Sequence, residues 1–117
     1  MIVNEEKASL RLEKLPKEVF RTVCVTLDMP LKGVGNWRHV GASLGFKEQE
    51  IQRFRDEMLT PEGSPCMVML EALIVKSPLF TVAELVQILQ ARNIQRFDVV
   101  VILEPYLYEP ILENSLA

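Results

Sequence analysis

Asn36-Trp37-Arg38-His39-Val40-Gly41-Ala42-Ser43-Leu44-Gly45-Phe46 decides how the rest of the chain reads. It holds the single tryptophan. Trp37, Val40 and Leu44 fall at i, i+3 and i+7, one face of a helix. Asn36 stands where a side-chain oxygen can accept a first-turn N–H. Gly45 stands where a left-handed residue ends a helix. The stretch therefore predicts a helix of about two turns, too short to be stable alone. It must dock, and its indole can bury roughly 150–250 Å² in doing so.

Upstream, residues 1–14 are charged, with few apolar positions, and predict a loosely ordered N-terminal arm. Pro16 opens the first strong helix, in the position where its missing N–H costs nothing. Val19, Phe20, Val23 and Leu27 form its inward stripe, and Lys17, Glu18, Arg21 and Thr22 face out. Asp28-Met29-Pro30 stops it. Leu31 to Gly35 is a flexible connection into the Trp37 helix.

Downstream, Lys47 to Met58 predicts a polar helix with a narrow seam of Ile51, Phe54 and Met58. Thr60-Pro61-Glu62-Gly63 is a turn. Ser64-Pro65 is a cap with proline in the first helical position. Cys66 to Val75 is apolar nearly all round, so it is expected at the centre. Thr81 and Glu84 form a capping box for a helix carrying Leu85, Val86 and Leu89, which ends at Arg92-Asn93. Phe97 to Leu103 is β-branched enough for a buried strand. No other segment offers a partner strand, so it reads as a helix with Pro105 near its end. Residues 109–117 are expected to be a C-terminal tail. The expectation is an all-α, six-helix antiparallel bundle.

The totals agree with one domain. The chain has 117 residues, 49% of them hydrophobic and 25% charged, enough for a packed core. Its formal net charge is −3, which gives no push toward nucleic acid. The charge is uneven: residues 1–58 carry ten Lys/Arg and nine Asp/Glu, while residues 59–117 carry three and seven. Cys24 and Cys66 lie among apolar residues and read as buried free thiols, which fits a reducing compartment. No apolar run reaches the ~18–20 residues of a membrane span.

In order and spacing, residues 15–108 resemble the death domain family. Asn36-Trp37-Arg38-His39-Val40 through Leu44-Gly45 is similar to its acidic-Trp-Arg-x-Leu-Ala-x-x-Leu-Gly second helix. Ser64-Pro65 and the apolar run after it resemble the fourth helix. Thr81-Val82-Ala83-Glu84-Leu85 resembles the Thr-Val-x-x-Leu fifth, and Asp98-Val99 lies in the sixth. Asn36 stands where aspartate is usual, Gly41 where alanine is usual, and Leu73 where tryptophan is frequent. Leu15-Pro16, Cys24, Leu27-Asp28, Pro30 and Trp37-Arg38 match the spacing of netrin-receptor death domains. The long Gln90–Phe97 connection is instead similar to the Toll and interleukin-1 receptor kinase branch, and Pro61 to Pro65 echoes the paracaspase death domain; of the three, the netrin-receptor-like resemblance is slightly preferred.

The resemblance implies a cytoplasmic, non-catalytic interaction domain, alone or as the intracellular part of a larger membrane-associated protein. Its implied partners are other death-domain proteins or itself, as a homo-oligomer, in apoptotic or inflammatory signalling of the NF-κB type. Convergent catalytic groups are missing from the sequence: His39 is the single histidine, and it reads as a surface residue. Cys24, Cys66 and His39 have no metal-ligand spacing, and no glycine loop precedes Gly-Lys-Ser/Thr. No cofactor or metal is expected. The candidate interaction residues are Arg38, Lys47, Arg53 and Arg55 around the second and third helices. On the acidic side they are Glu71, Glu84 and Asp98, with Glu104 nearby. Met29 and Leu31, in the loop before the Trp37 helix, read as interface or core-edge residues, with the core edge preferred. The competing class is a small helical nucleic-acid-binding domain using the second and third helices, with Arg53 and Arg55 toward phosphate.

Overall fold

The computed structural model describes residues 8–29, 31, 33–56 and 63–109. Met58, the Thr60–Glu62 part of the expected turn, Pro30 and the tail from 110 lie outside the described residues. Among the described residues there are six α-helices: α1 (Lys17–Asp28), α2 (Trp37–Ser43), α3 (Glu48–Asp56), α4 (Pro65–Lys76), α5 (Val82–Leu89) and α6 (Phe97–Leu103). Two 3-10 turns, Leu12–Lys14 and Glu104–Tyr106, flank them.

The helix ends follow local chemistry. Asn36 Oδ1 accepts from the Arg38 amide at 2.9 Å, and the Asn36 amide donates to His39 Nδ1 at 2.9 Å. Gly45 takes φ +94 just after α2, the left-handed value glycine permits. Thr81 Oγ1 accepts from the Glu84 amide at 3.1 Å, while the Thr81 amide donates to Glu84 Oε1 at 2.9 Å. That is the reciprocal box expected for α5. Ser64 Oγ accepts from the Met67 amide at 3.1 Å, with Pro65 in the first turn of α4. Pro16 sits one residue earlier than expected, at the N-cap of α1, with no side-chain capping hydrogen bond. The β-branched run of α6 is helical, and Pro105 lies in the 3-10 turn that follows.

α4 is the centre. It packs against α1, α2 and α3, and Cys66, Met69, Leu70 and Leu73 are buried. Its composition exceeds what its neighbours cover, since Val75 is 83% exposed. Gly41 shows why α2 has glycine where alanine is usual. A Cβ there would meet Met69 Sδ at 2.8 Å and Ile51 Cδ1 at 3.3 Å, closer than ordinary packing permits. Trp37 is 5% exposed, so the short helix docks through its indole as expected.

The described part of the N-terminal arm differs from the loose segment expected. Leu10 and Leu12 are buried. The Leu12 amide donates to Phe80 O at 2.8 Å, and the Val82 amide to Leu10 O at 2.9 Å. On the other side the Leu10 amide donates to Leu107 O at 3.1 Å, and the Glu109 amide to Ala8 O at 2.8 Å. The arm is thus stitched between the α4–α5 loop and the chain after α6. Leu10 lies in the extended part of the arm and Leu12 opens the first 3-10 turn, so both are buried without a helical stripe to announce them.

Trp37→Ala is expected to cost about 3–5 kcal/mol, because it empties a large buried site. Urea melts that shift by less than about 1 kcal/mol would show that the indole does not anchor α2. Thr81→Ala is expected to cost roughly 0.5–2 kcal/mol, and helix-resolved hydrogen exchange should locate the loss at the start of α5.

Candidate interaction surface

Helical geometry separates residues that the sequence groups. Arg53 and Arg55 are two positions apart on α3, so about 200° of rotation divides them. Both are exposed, in the last turn of the helix, where the helix dipole favours cations. Arg55 lines a cavity of about 440 Å³ with Asp28, Trp37, Arg38 and Pro65. Arg53 lies apart, against Glu48, Gln49, Gln52 and Asp56. The residues brought together are therefore Arg38 and Arg55.

Arg38 is already half-committed. Its Nη2 donates to Gln52 Oε1 at 3.0 Å, and its guanidinium lies 5.8 Å from the centre of the Trp37 ring. Lys47 is exposed before α3, and its amide donates to Glu50 Oε1 at 2.8 Å. The three acidic candidates stand on three helices. Glu71 is exposed on α4. Glu84 is spent on the α5 cap. Asp98 is bound bidentately by Arg96, at 3.1 Å to Nε and 3.0 Å to Nη2. Glu71 is the candidate acid with neither role.

Of the two positions expected for Met29 and Leu31, the preferred core edge is corrected by the structure: they are 52% and 47% exposed. Asp28 stops α1 just before them and turns the chain outward. Its carboxylate accepts from the Ser64 hydroxyl and from the Cys66 amide at 3.0 Å. Burial raises its pKa, while these two donors pull the other way. An aspartate at the end of one helix thus serves the start of another, where the dipole favours it.

Arg96 was absent from the sequence reading. Its side chain is fully buried, and besides Asp98 it donates to Gly35 O at 3.0 Å and Thr26 O at 2.9 Å. The one local signal was Arg-x-Asp beside an apolar run, and nothing in the sequence pairs it with Thr26 or Gly35. Cys24 and Cys66 are free and buried, as expected. Burial pushes the Cys66 thiol well up, and the neighbouring Cys24 adds to this, so it stays protonated. Among the described residues no group of three or more His, Cys, Asp or Glu is placed to hold a metal. Among them, too, no helix is long and apolar enough to cross a membrane.

Compared with known proteins, residues 21–107 match the family model described as Death domain. No curated protein and no solved structure gives a match. The matched span begins inside α1 and ends just past the second 3-10 turn.

Arg96→Met should destabilise by about 2–5 kcal/mol, since two backbone carbonyls lose their donor. Asp98 gives a pH signature. The Arg96 hydrogen bonds hold its carboxyl below the ordinary value. Its stabilisation is therefore full above the unfolded pKa of about 3.9 and is lost as pH falls through the lowered value. Asp28 acts in the opposite sense: its contribution is greatest at low pH and is lost as pH rises through its raised value. Asp98→Asn should flatten the acid side of the stability–pH curve, measured by denaturant melts at successive pH values. A curve identical to wild type would mean the pair contributes nothing.

Proposed function

The chain belongs to the Death domain family, and on that premise we propose that it assembles homotypically with death domains, its own copies included, in apoptotic or NF-κB-type signalling. The coarser statement, a protein-interaction module of signalling, follows from the family itself. The observation that carries the finer one is the arrangement of unpaired charge. Among the described residues the two ion pairs are Arg11–Glu13 and Arg96–Asp98. Among the described residues neither Arg53 nor Arg55 on α3 forms an ion pair, and neither does Glu71 on α4. Two complementary, non-identical faces meet head to tail and build open assemblies rather than closed dimers. The α3 surface is less suited to nucleic acid, because Glu48, Glu50 and Asp56 share the helix with its two arginines and leave no basic stripe for phosphate. A cytoplasmic setting is part of the same proposal, as is the absence of a catalytic step.

Arg53→Glu with Arg55→Glu, shown by circular dichroism to remain helical, should weaken self-association in sedimentation and capture of partner death domains. If the arginines lie at the rim, association slows and salt dependence changes; if they are buried in the contact, the loss is about 2–5 kcal/mol. The single variants separate the two faces of α3. Restoration by Glu71→Lys would establish a direct contact between the faces. Undiminished assembly by the folded double variant would remove α3 from the interface.

A further inference from the structure

A groove crosses the face formed by α1, the start of α4 and the end of α3. The cavity lined by Trp37, Arg38, Arg55 and Pro65 meets a second one, of about 600 Å³, lined by Arg21, Val25, Met29 and Met67; Asp28 and Gly63 belong to both. Val25 is 46% exposed and Met29 52%. Met67 is half-buried against the core. Between Arg21 and the Asp28–Gly63 junction the lining is therefore apolar and soft, since methionine thioethers adapt to irregular side chains.

Its ends are cationic. Arg21 stands at one end, Arg38 and Arg55 at the other. Neither Arg21 nor Arg55 has an ion pair among the described residues, and Arg38 spends one donor on Gln52. Asp28 is the one carboxylate among the described lining residues, and its two oxygens are held by Ser64 and the Cys66 amide. From Arg21 to Asp28 the helix advances about 10 Å, which roughly three residues of an extended chain cover.

We propose that this groove takes an extended acidic segment of a partner protein, with a Leu- or Met-type side chain over Val25, Met29 and Met67 and carboxylates toward the arginines on either side. Charge complementarity selects the occupant: a basic or purely apolar segment would leave three guanidinium groups facing a partner that cannot pair them. Arg55 belongs both to this groove and to the α3 face proposed for homotypic assembly, but Arg53 lies outside the groove, and the residues changed in the test, Arg21 and Met29, lie outside α3.

The probe is a short fluorescein-labelled peptide alternating glutamate and leucine, titrated by anisotropy against the full chain. Two control peptides replace leucine by serine or glutamate by glutamine. Saturable binding of the alternating peptide, weakened on the order of tenfold by Arg21→Glu with Met29→Glu and stronger than either control, supports the proposal. Equal binding of a control, no binding, or binding unchanged in the folded double variant overturns it. Loss of self-association in that variant, with no peptide binding by the wild type, would assign the face to contact between copies and also overturn it. Should the double variant fail to fold, amide shifts of the wild-type chain decide. Peptide-induced shifts at Arg21, Val25, Met29, Gly63 and Met67 support the site, and their absence there overturns it.

Discussion

The buried guanidinium of Arg96 is the constraint on which the arrangement of helices depends. It ties three places that no secondary-structure hydrogen bond connects: the last turn of α1 through Thr26 O, the α1–α2 connection through Gly35 O, and the first turn of α6 through Asp98. The Gly35 amide is taken up as well, by Ile94 O at 2.8 Å. Both backbone groups of Gly35 are thus satisfied by the segment before α6, and Asn36 and Trp37 follow directly. The docking of α2 is therefore set from α6, across the bundle. A planar fork with five donors suits this task, because the donors reach several acceptors without a change of rotamer. Burying a charge would be expensive without these partners.

Around that tie the core is layered on α4. Gly41 lets α2 approach Met69, and Phe46 and Phe54 meet edge to face with ring centres 5.2 Å apart beneath α3. Edge-to-face rings combine large apolar burial with a defined orientation. The Asp28–Ser64–Cys66 contacts add a polar tie between α1 and α4. The arm from Ala8 to Leu12 closes the remaining side by joining the chain after α6 to the α4–α5 loop. Buried polar groups here are few and hydrogen-bonded, which is how a small bundle keeps one packing.

The same packing decides what is left for partners. Polar side chains that would otherwise be free are consumed locally: Glu84 and His39 by caps, Asp98 by Arg96, Asp28 by the start of α4. Among the residues that remain outward are Arg53 and Arg55 on α3, Glu71 on α4 and the apolar Val25, Met29 and Leu31, with Val75, Leu79, Phe97 and Val101 exposed elsewhere.

The sequence by itself determined the helices, because their signals are local. Capping needs residues three apart, stripes need a period of 3.6, and Gly45 needs only its own backbone freedom. Trp37 burial, the Thr81–Glu84 box, free buried cysteines and an all-α bundle were legible for that reason. Tertiary structure alone decided which charges are available. Whether Asp98 is free depends on Arg96, whose burial depends on carbonyls of residues 26 and 35, far away in the chain. Arg53 and Arg55 looked like one patch because adjacency in sequence ignores helical rotation. Leu10 and Leu12 looked peripheral because the backbone partners that bury them, at residues 80–82 and 107–109, come from the other end of the chain. Non-local pairing of this kind carries no periodic signal, so it is read only once the helices are packed.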